Sequence, residues 1–426
     1  MIFFNLVKCS ILGLLIKYNI YNDKILNIFL NTLNKCGSIP IKMVQWIIPY
    51  LKIINVDKKI LDVLKNTYEK CDIHSLEYTK KIFKKDFYED LDSNYEILDV
   101  IGSGSIAQVY KIKDKNNNLY ALKVKHPNAE KTFKSIKFYL HIIFKLISFQ
   151  SIIPIRLEDF LNQFEEQLNF INETNNLIRF YNLYENNNLF KIPKLYKFSE
   201  NMIMMECLEG KSLNEYENNN IQHYKYHLMI FTFMNNNFFV NNFNHSDLHN
   251  YNWKISEDNK ILIYDFGLCW ELTNNKIIDG VDYLNQGFYH KDMDLICKAF
   301  INFVKYSIDI DEEIIKKYFY NNYNNPVIKG FKEFTYHIVQ FFLKNKLLIN
   351  IKVLYKIISY QNVMATFDKN SGEWDEFDHN GVNKEELNIC DYYNMLQGYQ
   401  SYLKNEIKKF KNKNEIKYVN LSKFIK

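Results

Sequence analysis

The segment His245-Ser246-Asp247-Leu248-His249-Asn250-Tyr251-Asn252 is followed, after 12 residues, by the short motif Asp265-Phe266-Gly267. The residues between them read as strand, polar turn and strand, which would bring Asn252 and Asp265 together. An aspartate, an asparagine five residues later and a second aspartate after a strand are the side chains that orient an acceptor and hold Mg²⁺ in phosphoryl transfer. Either motif alone could arise by chance, but both in this order predict a protein-kinase-like fold.

Three side chains of this stretch take expected roles. Asp247 is the candidate catalytic residue that accepts or orients the acceptor proton. The amide oxygen of Asn252 and the carboxylate of Asp265 are hard oxygen ligands of the type that Mg²⁺ prefers, and they are the candidate metal ligands. The expected cofactors are therefore ATP or ADP together with Mg²⁺.

The upstream segment predicts a nucleotide-binding loop. Three short strands are expected at 96–101, 108–113 and 120–124, and the first connection begins Gly102-Ser103-Gly104-Ser105. Glycine lets main-chain N–H groups approach phosphates closely, so Gly102, Gly104 and Ser105 are candidate nucleotide contacts. A loop of this composition is often only a turn, and it gains weight from the lysine that follows.

Lys123 lies near the end of the third predicted strand, where its ammonium group can reach phosphates below the loop. Glu173 lies in a stretch of helical spacing from Leu157 to Phe180 and is expected to pair with Lys123. An ordinary edge-strand lysine and a surface glutamate are the structural alternatives. The order of loop, lysine, glutamate and HxD motif favours the kinase interpretation, so both residues are candidate catalytic residues.

A further strand is predicted over Met202 to Cys207, and the glycine of Leu208-Glu209-Gly210 follows it in a turn. This segment would form the hinge between two lobes. Adenine is expected to bind main-chain groups there, which makes Glu206 and Leu208 candidate nucleotide contacts.

Composition limits the classes of protein that fit. A chain of 426 residues allows about two or three domains. Hydrophobic residues make up 47% and aromatic residues 16%, which excludes disorder of the whole chain. The net charge of +5 does not indicate nucleic-acid binding. The 7 cysteines are scattered and form no CxxC pair, which predicts a reducing intracellular compartment and no structural zinc.

The two ends of the chain have contrasting compositions. Residues 1–16 are the most apolar window, yet the run is short for a membrane span, so burial in the protein's own core is favoured over lipid contact. Peripheral membrane contact stays open as an alternative, and no standard transit peptide is evident. Residues 371–426 are polar and rich in lysine, which favours a solvated tail over contact with a membrane surface.

Together these residues resemble the UbiB/ADCK family of atypical kinases. The family's HxDxHxxN loop is matched by His245, Asp247, His249 and Asn252, its VKVQHP-like strand by residues 123–127, and its glutamate helix by residues 167–180. The resemblance covers about residues 35 to 300. It implies an α+β, bilobal protein-kinase-like fold with a helical N-terminal extension packed near the active site, and a link to coenzyme Q or lipid metabolism.

The resemblance implies four parts of the chain. Residues 1–92 would form the helical N-terminal extension, and 93–207 the N-lobe with inserted helices. Residues 208–370 would form the helical C-lobe with the catalytic loop, and 371–426 the tail.

The sequence departs from the family pattern at regulatory positions. The family's KxGQ motif appears as Lys42-Met43-Val44-Gln45, and its ExD motif as Gln167-Leu168-Asn169. In the family these elements pack over the active site and restrain protein-kinase activity. Amides in place of carboxylates reduce any contact with Lys42 to a neutral hydrogen bond of roughly half the strength, so we expect a looser extension. The alternative for Lys42 and Gln45 is a solvated face of an amphipathic helix.

The nucleotide loop is a third departure. The family's loop is rich in alanine, AAASIGQV-like, whereas this chain has glycine at 102 and 104. A loop closer to the conventional glycine-rich type favours ordinary ATP binding.

The leading functional hypothesis is an ATP-binding, Mg²⁺-dependent atypical kinase or ATPase. One competitor is a pseudokinase scaffold that binds nucleotide without transfer. Another is a small-molecule kinase of the aminoglycoside or choline type, which shares the HxD loop but gives no reason for the Lys42–Gln45 segment. The partners expected are nucleotide and an acceptor that the sequence leaves open between protein, lipid and small molecule.

Overall fold

The structure is a computed structural model that describes residues 2–65, 73–146, 153–215, 226, 229–230, 232–234, 236–248, 252–290, 292–307, 309–322 and 331–365. The predicted tail at 371–426 and His249 of the catalytic loop lie outside these described residues. The chain divides into two compact units. The first comprises Met1–Ile152, Arg156–Ile178 and Pro193–Leu208, and the second comprises Ile153–Ile155, Arg179–Ile192 and Glu209–Lys426.

The described helices, in chain order, are α1 (Ile2–Lys17), α2 (Asp23–Asn34), α3 (Ser38–Ile53), α4 (Lys58–Lys65), α5 (Leu76–Phe87), α6 (Leu91–Asn94), α7 (Ala129–Leu146), α8 (Leu157–Gln167), α9 (Phe170–Tyr184), α10 (Asn275–His290), α11 (Met293–Ser307), α12 (Glu312–Asn322), α13 (Phe331–Lys344) and α14 (Ile351–Ala365). The described strands are β1 (Tyr95–Ser103), β2 (Ala107–Asp114), β3 (Leu119–Lys125), β4 (Phe190–Lys191), β5 (Leu195–Phe198), β6 (Met202–Glu206), β7 (Asn244–His245), β8 (Trp253–Ile255), β9 (Ile261–Ile263) and β10 (Cys269–Trp270).

The first unit is built on an antiparallel sheet of five strands in the order β1-β2-β3-β6-β5. The three strands predicted upstream of the lysine are β1, β2 and β3, and the strand predicted before the hinge is β6. The sheet forms because alternate side chains of β2 and β3 are apolar and can be buried on one face. Phe83 of α5 and Leu91 of α6 join that face, and the buried core they complete contains Tyr110, Ile112, Tyr120, Leu122, Val124, Met202 and Met204.

The helices before the sheet have a second core in the first unit. Leu26, Ile48, Ile60 and Leu64, from α2, α3 and α4, form it. Helix α1 packs against α2 and α7. Its Leu6 is buried, whereas Phe4 is 72% exposed and Ile11 is 55% exposed. The apolar run at the N-terminus is therefore divided between the protein core and an exposed face, and no described helix is both long and apolar enough to cross a membrane.

The stretch of helical spacing from Leu157 to Phe180 consists of two helices rather than one. Helix α8 ends at Gln167 and α9 begins at Phe170. The side-chain oxygen of Asn169 accepts hydrogen bonds from the main-chain N–H groups of Ile171 at 3.0 Å and Asn172 at 3.3 Å. Asparagine is a preferred N-cap, so it starts the second helix at this point.

The second unit contains two small sheets and helices α10 to α14. One sheet has the order β4-β9-β8 and the other pairs β7 with β10. The predicted strands on either side of the polar turn are β8 and β9, which pair antiparallel as Trp253 with Ile263 and Ile255 with Ile261. Helix α11 buries one face at helical spacing, with Ile296, Phe300 and Val304 all at 0% exposure.

A network of hydrogen bonds joins the residues before α5 to the sheet of the first unit. His74 Nδ1 lies 2.8 Å from His126 Nδ1, and His74 Nε2 lies 2.9 Å from Thr79 Oγ1. The main-chain N–H of His74 donates to Gln108 Oε1 at 3.0 Å. Burial, followed by the nearby His126, lowers the pKa of His74 from 6.5 to about 4. The folded protein therefore holds His74 neutral at pH values where the unfolded chain would protonate it.

We predict that His74 makes the protein less stable in acid. Because its pKa is lower in the folded state, the unfolded state binds more protons between pH 6.5 and about 4, and stability falls as the pH falls through that window. Between pH 7.5 and 5 the free energy of unfolding of the wild type should fall by about 2 kcal/mol more than that of His74→Gln. Denaturant unfolding of both proteins at the two pH values measures the difference.

His141 provides a control of opposite sign. Its pKa is raised, first by the hydrogen bond that its ring N–H donates to Glu158, so its stabilising contribution is present below pH 6.5 and is lost as the pH rises. His141→Gln should therefore make the protein lose more stability on acidification than the wild type does. Identical pH dependence in the wild type and His74→Gln would contradict the prediction.

Candidate active site

The first unit contains a buried ion pair between Lys123 and Glu173. The Lys123 ammonium lies 2.6 Å from Glu173 Oε1, and the two side chains are 11% and 5% exposed. Strand β3 places Lys123 opposite Val109 of β2, and Glu173 lies in the first turn of α9. The pair expected from the sequence is therefore present, and burial of both charges makes each depend on the other.

The loop between β1 and β2 presents unpaired main-chain donors. The Gly104 N–H donates to the Ala107 carbonyl at 2.8 Å, which closes the turn. Across the described residues, no protein acceptor lies within hydrogen-bond distance of the N–H groups of Ser105 and Ile106. A Cβ at Gly102 would meet nothing within 4 Å, and one at Gly104 would meet only the Ala107 carbonyl at 3.7 Å. The loop is thus open on the outside, and its two donors are suited to an anionic group.

Lys125 is a residue of this region that the sequence analysis did not single out. It is 4% exposed, and its ammonium pairs with Glu130 Oε1 at 2.8 Å. Lys123 and Lys125 are two positions apart on β3 and so point to the same face of the sheet. Their ammonium groups lie 5.6 Å and 5.0 Å from the centre of the Phe170 ring. Two features of the sequence could have indicated Lys125. The side chains of β3 alternate between the two faces of the sheet, and Lys125 stands where the family pattern has glutamine.

In the predicted hinge, two main-chain N–H groups that could have bound adenine already donate to carbonyl groups of the protein. The Glu206 N–H donates to the Lys194 carbonyl at 2.8 Å, and the Cys207 N–H donates to the Leu119 carbonyl at 3.3 Å. These two donors are used within the sheet. An adenine contact in the range Glu206 to Leu208 would have to use other main-chain groups.

In the second unit, hydrogen bonds link Asp247, Asn252 and the residue before Asp265. The amide nitrogen of Asn252 donates to the Asp247 carbonyl at 2.9 Å. The Tyr264 N–H donates to the Asn252 carbonyl at 2.9 Å. Because the amide nitrogen is committed to a carbonyl, the amide oxygen is the atom of Asn252 that can ligate a cation. Asp247 and Asn252 are therefore bonded to each other, and Asn252 is bonded to Tyr264, the residue directly before Asp265.

His245 makes hydrogen bonds to both Asp247 and Tyr264. Its Nδ1 accepts a hydrogen bond from the Asp247 N–H at 3.2 Å, and its Nε2 lies 3.2 Å from the Tyr264 carbonyl, to which it must donate. These two contacts require the neutral imidazole with its proton on Nε2. Burial lowers the pKa of His245, and the charges of Asp247 and Asp265 only partly oppose that shift. The site therefore keeps the tautomer that its own hydrogen bonds need.

Asp265 has a backbone conformation that is unusual for a residue other than glycine. Its φ is 53°, and its Oδ1 accepts a hydrogen bond from the Gly267 N–H at 3.2 Å. Non-glycine residues in this left-handed region cost about 1–3 kcal/mol unless the surroundings hold them, and they concentrate at functional sites. The carboxylate is thus aimed by a strained turn rather than by a regular strand.

Aromatic packing and two serine contacts fix the segment in place. The rings of Phe180, His245 and Phe266 contact one another, with centroids 5.3 to 6.1 Å apart. The Trp270 indole N–H donates to the Ser246 hydroxyl, and the Ser246 N–H donates to the Leu268 carbonyl at 3.0 Å. Main-chain and side-chain groups of the HxD segment are therefore bonded to the residues that follow Asp265.

The residues expected to be regulatory all lie in the first unit. Lys42 and Gln45 are half-buried on α3, which packs against α7 and contacts α8 through Trp46 and Phe160, whose ring centroids are 5.1 Å apart. Gln167, at the end of α8, is 7% exposed. Asn169 caps α9. A regulatory role for these four residues stays a prediction.

Comparison with known proteins identifies the family. A model of the ABC1 atypical kinase-like domain matches residues 66–300. The chain belongs to the ABC1 family. The matched range includes Lys123, Glu173 and the whole catalytic segment, and it begins after helices α1 to α4. This confirms the resemblance to UbiB/ADCK atypical kinases and the α+β, kinase-like fold expected from the motifs.

Two similar proteins add detail to the family match. This ABC1 chain is 24% identical over 233 residues to AarF domain-containing kinase 1 of Drosophila melanogaster, an alignment that covers 51% of this chain and 45% of that protein. The match therefore spans less than half of the length of this curated relative. The solved complex of Rv3197 with erythromycin, from Mycobacterium tuberculosis, has a structure that is similar over 70% of this chain and 83% of that chain, with 14% identity and a TM-score of 0.48.

We predict that neutralising one partner of the buried ion pair destabilises the protein more than neutralising both. Glu173→Gln removes the carboxylate that lies 2.6 Å from the buried Lys123 ammonium and should lower the free energy of unfolding by about 3 kcal/mol. Adding Lys123→Met removes the buried positive charge and should recover about 2 kcal/mol of that loss. Denaturant unfolding of the wild type, both single variants and the double variant gives the coupling energy.

The control is an ion pair on the surface of the same sheet. Lys113 and Glu96 lie 2.7 Å apart, but the Glu96 side chain is 62% exposed. Glu96→Gln should cost about 0.5 kcal/mol or less, because solvent screens the pair. If the effects of Glu173→Gln and Lys123→Met simply add, the two charges do not depend on each other and the prediction is wrong.

Proposed function

We propose that this ABC1-family chain is an ATP-binding, Mg²⁺-dependent phosphotransferase or ATPase. The observation that supports the proposal best is the hydrogen-bonded group of Asp247, Asn252 and Tyr264, which precedes Asp265. It combines a candidate base, an amide oxygen and a carboxylate within one short region of the second unit. That set of oxygen donors fits Mg²⁺, which prefers carboxylate and carbonyl ligands.

The first unit contributes groups that fit a nucleotide. The N–H donors of Ser105 and Ile106 and the ammonium of Lys123 match the negative charge of a phosphate chain. In this proposal Lys123, held by Glu173, binds phosphate oxygens, and Asn252 and Asp265 hold the metal. MgATP, when bound, supplies a transferable phosphoryl group whose charge the metal partly neutralises. Asp247 orients the acceptor hydroxyl or water and receives its proton.

The pseudokinase scaffold and the small-molecule kinase remain the competing functions. A scaffold that only binds nucleotide has no use for a strained Asp265 and an oriented Asn252. The aminoglycoside or choline type gives no reason for the packing of α5 and α6 on the sheet, where Phe83 is 0% exposed and Leu91 is 2% exposed. Both observations favour the atypical kinase.

We predict that Asp247→Asn abolishes most turnover while nucleotide binding is kept. The isosteric amide keeps the main-chain bonds of the segment but cannot accept the proton, so the rate of Mg²⁺-dependent ATP turnover should fall by at least about 100-fold. The dissociation constant for ATP should stay within about 2-fold of the wild type. Phosphate release and equilibrium ATP binding by the full chain measure the two quantities.

Asp258→Asn is the matched control for this experiment. Asp258 lies in the hairpin between the two motifs, and its side chain is 62% exposed. This variant should turn over ATP like the wild type. Equal rates for Asp247→Asn and the wild type would remove the catalytic role of Asp247, and ATP binding by a wild type without turnover would favour the scaffold.

A link to lipid or quinone metabolism enters the proposal through the family resemblance and through helix α1. Phe4, Lys8 and Ile11 lie on one face of α1, since they are four and three positions apart, and all three are exposed. An apolar face that carries a lysine suits the surface of an anionic bilayer, where the stem of the lysine lies along the apolar groups. We propose that this face binds a membrane surface peripherally.

We predict that the membrane-binding face of α1 can be removed without unfolding the protein. The double variant Phe4→Ser with Ile11→Ser should pellet with phosphatidylglycerol-containing vesicles at least about 5-fold less than the wild type, because two exposed apolar groups are lost. Ile314→Ser, which removes a side chain that is 50% exposed on α12, should pellet like the wild type. Equal pelleting of all three proteins would contradict this proposal and leave the catalytic one untouched.

A further inference from the structure

One residue of the first unit binds two carbonyls of the loop between β1 and β2. His126 Nε2 lies 2.9 Å from the Gly104 carbonyl. The main-chain N–H of His126 donates to the Ile106 carbonyl at 2.9 Å. The turn itself is already closed by the Gly104 N–H and the Ala107 carbonyl at 2.8 Å. The His126 side chain therefore does not make the turn; it sets the direction of one peptide group within it.

The direction of that peptide decides where a loop donor points. A trans peptide is planar, and its C=O and N–H point to opposite sides. The Gly104 carbonyl and the Ser105 N–H belong to the same peptide. When His126 holds the carbonyl on its own side, the Ser105 N–H must point away from His126. No protein acceptor of the described residues meets that N–H, so it is left available to a group from outside the protein.

The neighbouring histidine fixes the proton that this contact needs. A carbonyl oxygen only accepts hydrogen bonds, so His126 Nε2 must carry a proton. In the neutral ring, His126 Nδ1 is then unprotonated and must accept a hydrogen bond. His74 Nδ1 lies 2.8 Å from it and donates this hydrogen bond. His74 Nε2 then accepts from the Thr79 hydroxyl at 2.9 Å, and in this arrangement the single Thr79 hydroxyl proton is not donated to the Tyr110 hydroxyl. The main-chain N–H of His74 donates to Gln108 Oε1 at 3.0 Å.

The contact with Gly104 survives if the pair of imidazoles takes up one proton. His126 then donates from both ring nitrogens, His74 accepts at Nδ1 and donates from Nε2 to Thr79, and the Thr79 hydroxyl donates to the Tyr110 hydroxyl at 2.9 Å. The hydrogen bonds from His126 to Tyr110 reverse their direction, but His126 Nε2 keeps its proton and still donates to the Gly104 carbonyl. Only a second proton would place two facing cations at 2.8 Å.

We propose that His126 is a positioning residue for the phosphate-binding loop, and that His74 holds it in the tautomer that this role requires. The proposal rests on the proposed function, because it assigns the Ser105 N–H to a phosphate of the bound nucleotide. His126 acts only through the loop and touches neither the acceptor nor the reacting phosphoryl group. Its effect should therefore appear in the affinity for phosphate-bearing ligands and not in the affinity for the nucleoside.

Two substitutions of His126 separate its ring nitrogens. The amide nitrogen of His126→Gln can take the place of Nε2 and donate to the Gly104 carbonyl. The shorter His126→Asn can place a polar atom near Nδ1, where it meets His74, but cannot reach Gly104. Both variants are polar and of similar size. A loss found only in the asparagine variant is thus a loss of the bond to Gly104.

The experiment measures the binding of ATP with Mg²⁺, and separately of adenosine, to the full-length wild type and both variants. His126→Asn should bind ATP about 5- to 10-fold more weakly, the effect expected from losing the orientation of one hydrogen bond, and should bind adenosine like the wild type. His126→Gln should bind both ligands within about 2-fold of the wild type. Thermal unfolding of each variant shows that it is folded.

Three results would overturn the inference while leaving the proposed function in place. These are unchanged ATP affinity in His126→Asn, an equal loss of ATP affinity in both variants, or an equal loss for ATP and adenosine in the asparagine variant. A folded wild type that binds no ATP would reject the proposed function itself, and with it a role for His126.

Discussion

A single neutral imidazole joins the candidate catalytic residue Asp247 to the segment that leads into Asp265. His245 accepts from the Asp247 N–H and donates to the Tyr264 carbonyl, so it ties the HxD turn to the residue that precedes Asp265. A charged ring could not accept from Asp247, and the other tautomer could not donate to Tyr264. Burial at 3% exposure keeps the ring uncharged, and the Phe180 and Phe266 rings beside it provide that burial.

The two candidate magnesium ligands, Asn252 and Asp265, are held in place in different ways. Asn252 is placed by ordinary bonds, since its amide nitrogen and its carbonyl both have partners. Asp265 is placed in a left-handed conformation that only a rigid environment maintains. The arrangement is pre-organised because the cost of the strained residue is met by the packing of the residues next to it. That is the usual situation at a site where a side chain must point in one direction.

The first unit uses burial in a different way. Lys123 and Glu173 are almost fully enclosed, so neither charge is tolerated without the other. Helix α9, which carries Glu173, starts at a side-chain cap made by Asn169. In the family pattern this position is an aspartate, which can cap a helix in the same way. The exchange of aspartate for asparagine therefore keeps the start of the helix while it removes a negative charge from the segment next to Glu173.

The amino-acid sequence alone was enough to predict which residues form the candidate site and in what order they occur along the chain. The spacing of Asp247, Asn252 and Asp265 and the strands around Lys123 could be predicted, because they follow from local patterns of period two and from short motifs. The break between α8 and α9 rests on a local cap at Asn169, which the helical spacing alone did not indicate. The use of the Cys207 N–H group and the contact of His74 with His126 were visible only in the tertiary structure. Each of these two contacts joins groups far apart in the chain, and no local pattern carries the distance between them.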